Sequence, residues 1–113
     1  MVPIMIEVLE YLTPKGDSPF GGWFNDLDPQ AAAKVAVALV RIGQGNLSNV
    51  KGVGSGVFEY KINFGPGYRL YFGKDGETIV ILLAGGTKQR QEDDIEDAQG
   101  RWQDYKDRKK GKG

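Results

Sequence analysis

From Gly56 to Phe72 the chain alternates apolar and polar residues at a period of two on either side of a turn, and the alternation predicts strands. Phe58, Tyr60, Ile62 and Phe64 fall on one face; Glu59, Lys61 and Asn63 fall on the other. Gly65-Pro66-Gly67 predicts a turn, and Tyr68 to Phe72 alternates in the same way. Pairing Phe64 with Tyr68 across that turn sets Asn63 opposite Arg69 and Lys61 opposite Tyr71. Asp75-Gly76 predicts a two-residue hairpin turn. Thr78 to Ala84, TIVILLA, is apolar on both faces and predicts a central strand covered on both sides.

The flanking segments change period. Ile4 to Leu12 predicts a first strand, with Ile4, Ile6 and Val8 on one face. Pro19 to Leu27 predicts a short helix burying Trp23 and Phe24, weakened by Gly21-Gly22. Asp28-Pro29 is a strong helix start, with Asp as N-cap and Pro in the first turn. That helix runs to Ile42 with Ala32, Val35, Leu39 and Ile42 facing the core, and Gly43 or Gly45 ends it. Asn46 to Ser55 predicts a loop. Gly85-Gly86-Thr87 predicts a break before a last helix from about Lys88, where Ile95, Ala98, Trp102 and Tyr105 make a narrow apolar stripe. Gly100 is a candidate kink. The stripe can dock on the body of the fold or carry a partner segment, and Trp23 and Trp102 are candidate anchors. The order is β-α-α-β-β-β-α, an α+β arrangement in which the pairing of the first strand stays open.

At 113 residues the expectation is a single domain with one modest core. No apolar run reaches the length of a membrane span, and the N-terminal residues lack a secretory pattern, so the expected location is cytoplasmic. The chain has no Cys and no His, which removes disulfides, thiolate metal sites and the commonest general base. Acid–base chemistry must then use Lys, Arg, Tyr or carboxylates; neither cofactor nor metal is expected.

Net charge is zero but unevenly spread. Lys51, Lys61, Arg69, Lys74, Lys88 and Arg90 outnumber Glu59, Asp75 and Glu77, a local +3. Residues 92–107 carry seven acids against Arg101 and Lys106, a local −5, before a cationic tail of Arg108, Lys109, Lys110 and Lys112. The basic stretch shares its strands with aromatics. Glu59, Lys61, Arg69 and Tyr71 fall on one surface, a patch that can hold a phosphate and move a proton. The plain alternatives are a surface ion pair at Glu59 and packing roles for Tyr68 and Tyr71.

The runs GVFEYKI, GPGYRLYF and IVILLAGGTKxxQxxDIxxA together resemble the RelE/ParE-superfamily toxins of type II toxin–antitoxin modules. Their closest likeness is to the HigB-like "addiction module killer protein" group, itself related to a phage-derived family, and it covers nearly the whole chain. The resemblance implies a RelE-like, microbial ribonuclease-like fold and a metal-independent, ribosome-dependent mRNA endoribonuclease that inhibits growth. It also implies a cognate antitoxin, usually a small helix-turn-helix protein. Arg69 then matches the Arg held against the scissile phosphate, and Lys88 and Gln91 match the signature after the last strand. Lys61 stands where the group more often has Arg, losing bidentate geometry. Lys51 falls in a loop where related nucleases place a basic residue, and Arg90 joins Lys51 and Gln91 as an RNA-binding candidate.

Such cleavage needs a base for the 2′-hydroxyl, a clamp for the phosphate and an acid for the 5′-oxygen. The base would be Glu59 or a Lys, the clamp Arg69, and the acid Tyr71 or Lys88; Tyr71 could instead stack on a base. Because the fold is shared, a ParE-like toxin that inhibits DNA gyrase without catalysis, or a decayed toxin that only binds antitoxin, stays open.

Overall fold

Two short polar side chains start the first two helices. Ser18 Oγ accepts from the Gly21 amide at 2.9 Å and opens α1 (Pro19–Asn25) despite its glycine pair. Asp28 Oδ1 accepts from the Ala31 amide at 3.0 Å and opens α2 (Pro29–Gly43), with Pro29 in the first turn. In the computed structural model, which describes residues 5–111, these helices lie beside a five-stranded mixed sheet. Its strands are β1 (Glu7–Glu10), β2 (Val50–Gly52), β3 (Val57–Ile62), β4 (Tyr68–Asp75) and β5 (Ile79–Thr87), in the order β1-β5-β4-β3-β2. A 3-10 turn (Lys88–Arg90) leads into α3 (Gln91–Gly111). β1 pairs in parallel with β5, and every other pair is antiparallel.

The sheet has a core on each face. On one, Leu70, Phe72, Val80, Leu82, Tyr60 and Ile62 meet Phe20 of α1 and Val35, Ala38 and Ile42 of α2. On the other, Val57, Tyr71, Ile81, Leu83 and Ala84 meet Ala98 and Trp102 of α3. The Trp102/Tyr105 stripe therefore docks on the body of the fold. Trp102 lies on Gly73 of β4, where a built Cβ would come within 2.4 Å of its ring. Tyr105 donates to Asp75 Oδ2 at 2.6 Å, and Tyr11 donates to Asp104 Oδ2 at 2.6 Å, so the second half of α3 is tied to the end of β4 and to the residue that follows β1.

The α+β class stands, with several local differences. The expected loop around Lys51 contains β2, giving one strand more than the predicted order. The expected Lys61–Tyr71 and Asn63–Arg69 pairs are replaced by Lys61–Arg69 and Glu59–Tyr71. The cause is the turn: the Phe64 amide bonds Ile62 O and the Gly67 amide bonds Phe64 O, so Asn63 and Phe64 leave the strand. A slip of two residues keeps every side chain on its expected face. β4 runs on to Asp75 and pairs it with Ile79, so three residues, not two, connect β4 to β5.

Gly85, Gly86 and Thr87 do not break β5; they pair with Leu70, Arg69 and Tyr68. In α2 the buried positions are Ala31, Val35, Ala38 and Ile42, so Ala32 and Leu39 yield to their neighbours. Phe20 takes the buried place expected for Trp23 and Phe24, which are half-buried. α3 continues through Gly100, where a side chain would meet open space. β1 is shorter than expected, and its predicted residue Ile4 lies outside the described residues, as does Lys112 of the tail.

The close fit of α3 on β4 sets a pair of opposed outcomes. Gly73→Ala is expected to lower stability by about 1–3 kcal/mol through overpacking on Trp102. Gly100→Ala, in open space mid-helix, is expected to raise it by about 0.5–1 kcal/mol. Urea unfolding of both variants checks the contrast; equal effects of one sign would contradict the packing described.

Candidate functional site

Strands β3 and β4 present Glu59, Lys61, Arg69 and Tyr71 on the face that α3 covers, and the helix arrives with Gln91 and Asp94. Glu59 is not part of a surface ion pair. It is 1% exposed, and its carboxylate meets three partners. Gln91 Nε2 donates to Oε2 at 2.8 Å, Arg69 Nε stands 3.6 Å from the same oxygen, and Lys51 Nζ stands 3.7 Å from Oε1. Lys51 reaches it because β2 sets Lys51 directly opposite Glu59.

Arg69, 4% exposed, spends one guanidinium nitrogen on the chain: Nη1 donates to Gly67 O at 2.8 Å. Gly67 sits at φ +80° with Lys88 beside it; a built Cβ would lie 3.2 Å from Arg69 Nη1 and 3.7 Å from Lys88 Cβ. Lys88 is thereby placed at the rim next to Arg69, in the 3-10 turn rather than in the helix. Tyr71 is fully enclosed, opposite Glu59 on one side and Ala84 on the other. Burial pushes its hydroxyl well above the ordinary tyrosine pKa, and the charges of Glu59 and Asp94 push the same way. In this conformation it offers no stacking face.

Asp94 belongs to this cluster and is not predicted from the sequence, where it reads as one acid in a run. Its Oδ2 rests against Gly86 so closely that a Cβ there would lie 1.8 Å away. Its signal in the sequence is the second glycine of Gly85-Gly86, which lies opposite Arg69 and leaves room for a helix side chain. Burial raises the Asp94 pKa above its usual value; Arg90, 3.8 Å from Oδ1, pulls it the other way.

Three buried side-chain atoms among the described residues lack a hydrogen-bond partner: Arg69 Nε, Tyr71 OH and Asp94 Oδ2. All three belong to this one cluster. Two of them face Glu59 just beyond hydrogen-bond length or at its margin, and an ordered water, strain or a catalytic role each accounts for such groups in native interiors. Around it stand four exposed cations, Lys51, Lys61, Lys88 and Arg90. The structure thus brings together all eight predicted residues, but in three tiers: Glu59, Arg69 and Tyr71 enclosed, Gln91 half-buried above them, and the four cations outside. Among the described residues no group of three acids is placed to hold a metal ion, and no helix is long and apolar enough to cross a membrane.

No protein-family model matches the chain. An uncharacterized protein of Haemophilus influenzae is 39% identical to it over 80 residues, which is 70% of this chain and 81% of that protein. The chain belongs to that protein's family. The shared length exceeds what any one hairpin or helix could supply, so the kinship extends over several elements of the fold.

The buried, unmatched Asp94 carboxylate gives a pH test. Its folded pKa is raised, so the native state holds its proton more tightly than the unfolded chain does. Its contribution is greatest below the ordinary value of 3.8 and falls as pH rises through the folded pKa. Asp94→Asn, which removes the charge, is expected to raise the urea midpoint at pH 7. The gain should shrink as pH falls through the raised folded pKa and be gone below 3.8. A loss of stability at pH 7 would mean that the charge is stabilising where it stands.

Proposed function

We propose that the chain is the toxin of a type II toxin–antitoxin module, a HigB-like member of the RelE/ParE superfamily acting in the cytoplasm. Its activity in this reading is cutting mRNA on the ribosome. The observation that carries the reading is the pairing of Lys61 directly opposite Arg69, with Lys88 beside them. Like charges opposite one another on a sheet destabilise it, and an anion between them reverses that cost. A phosphodiester is such an anion.

Glu59 then serves as the base for the 2′-hydroxyl, drawing the proton from oxygen as that oxygen attacks phosphorus. Arg69 and Lys61 stabilise the charge on the pentavalent phosphate. Lys88, on the exposed rim, is better placed than enclosed Tyr71 to protonate the departing 5′-oxygen. Lys51, Arg90 and Gln91 hold the neighbouring RNA backbone. Because Glu59 and Arg69 are enclosed, the 3-10 turn and the first turns of α3 must part from the sheet before substrate enters. The cognate antitoxin, a helix-turn-helix protein in this reading, would hold the enzyme silent.

The enclosure of Glu59, Arg69 and Tyr71 also favours a second reading. If they form only an internal polar network, the fold acts by binding, as a ParE-like inhibitor of DNA gyrase or a decayed toxin that retains antitoxin binding.

Inducible expression in bacteria with mapping of mRNA 5′ ends separates these. Wild type is expected to arrest growth and to generate new in-frame mRNA ends. Lys61→Gln and Lys88→Gln, both at exposed positions that the fold tolerates, are expected to cut at least about 100-fold less. Arrest with intact mRNA and DNA double-strand breaks would establish the gyrase reading, and the absence of arrest would leave the binding-only one.

A further inference from the structure

From Pro29 to Lys74 the chain carries six Lys or Arg and one carboxylate, Glu59, which is buried. The fold gathers three of these cations around a second positive surface, between α2 and the open edge of β3, which meets the α3 face at Lys61. A cleft of about 270 Å³ lies between α2 and the end of β3, lined by Lys34 and Arg41 of α2, by Asn49, and by Lys61, Asn63 and Phe64. No carboxylate lines it. Lys34, Arg41 and Lys61 are exposed, and none of them pairs with an acid among the described residues. Lys34 is nonetheless held, with its ammonium 5.3 Å from the centroid of the Phe64 ring.

We propose that this cleft binds the sugar–phosphate backbone of single-stranded RNA. Three cations and two amide side chains around one open cleft supply charge and donors and no competing acceptor charge, the complement of successive phosphates. An acidic peptide added as a strand fits less well. β2 ends at Val50 opposite Tyr60, so the open edge of β3 is only Lys61 and Ile62, too short for a ladder. Lys61 is the link between the two surfaces, because it lines the cleft and is also the cross-strand partner of Arg69. RNA lying at Arg69 would continue past Lys61 into the cleft. The choice of RNA rests on the nuclease reading; the recognition of phosphates does not.

The test is binding of a fluorescent 12-nucleotide single-stranded RNA to purified full-length protein across a salt series. Wild type is compared with the double variant Lys34→Gln/Arg41→Gln and with Lys110→Gln as a distant control. Gln keeps helix propensity at two exposed α2 positions, and a thermal melt verifies folding. The double variant is expected to bind about tenfold more weakly at low salt. The slope of log K against log salt should flatten by about 1.4, near 0.7 for each phosphate no longer neutralised, while the control is unchanged. An unchanged affinity and slope in the double variant, or wild type that binds a Glu-rich peptide and no RNA, would overturn the proposal. Failure of the nuclease reading would show separately, as intact mRNA in expressing cells alongside unaltered RNA binding here.

Discussion

Glu59 places a carboxylate where the sheet has almost no water, and the surrounding structure answers to it. Its oxygens face Arg69, Gln91 and Lys51, which come from a neighbouring strand, the start of α3 and the edge strand β2. A buried charge is tolerable only while such partners remain, and removing Arg69, the one buried cation beside it, costs about 3–5 kcal/mol. The short strand β2 and the landing of α3 are therefore coupled through one side chain. Tyr71 and Asp94 complete the enclosure, and burial disfavours the charged form of each.

α3 is held unequally along its length. Ala98 and Trp102 fill the face between β3 and β5, and Gly73 allows the indole to lie flat on β4. Tyr105 and Lys109 bind Asp75, and Arg108 pairs with Asp104 at 2.7 Å. The first turns have less. They rest on the Gln91–Glu59 bond, on half-buried Ile95 against the second core, and on Asp94, pressed against Gly86 beside Arg90 with its charge disfavoured by burial. Opening of those first turns, with Ala98 and Trp102 still docked, would uncover Glu59 and Arg69 without loss of the fold.

Much of this was legible in the sequence, because alternation is a local property. It sorts Glu59, Lys61, Arg69 and Tyr71 onto one face, and a register slip of two residues leaves that sorting intact. What alternation cannot convey is whether the face is wet. Three charged residues on two strands predict solvent, and only the docking of α3 encloses two of them. The Gly85-Gly86 pair illustrates the same limit. Local propensity predicts a break, yet both glycines stay in the ladder because Trp23 and Asp94 need the space above and below them. Asp94 itself is hidden among neighbouring acids until Gly86 is seen opposite Arg69. The basic cleft beside α2 likewise needs the third dimension, since Lys34 and Arg41 are far in sequence from Lys61.

The polar cluster is closed by the first turns of α3, so access to it requires those turns to open, and native-state hydrogen exchange measures such an opening directly. The amides of Ile95, Glu96 and Asp97 are predicted to exchange through an opening of much lower free energy than global unfolding, while those of Trp102 and Gln103 exchange only with global unfolding. Uniform protection along α3 up to the global value would contradict this, because Glu59 and Arg69 would then stay sealed from any phosphate.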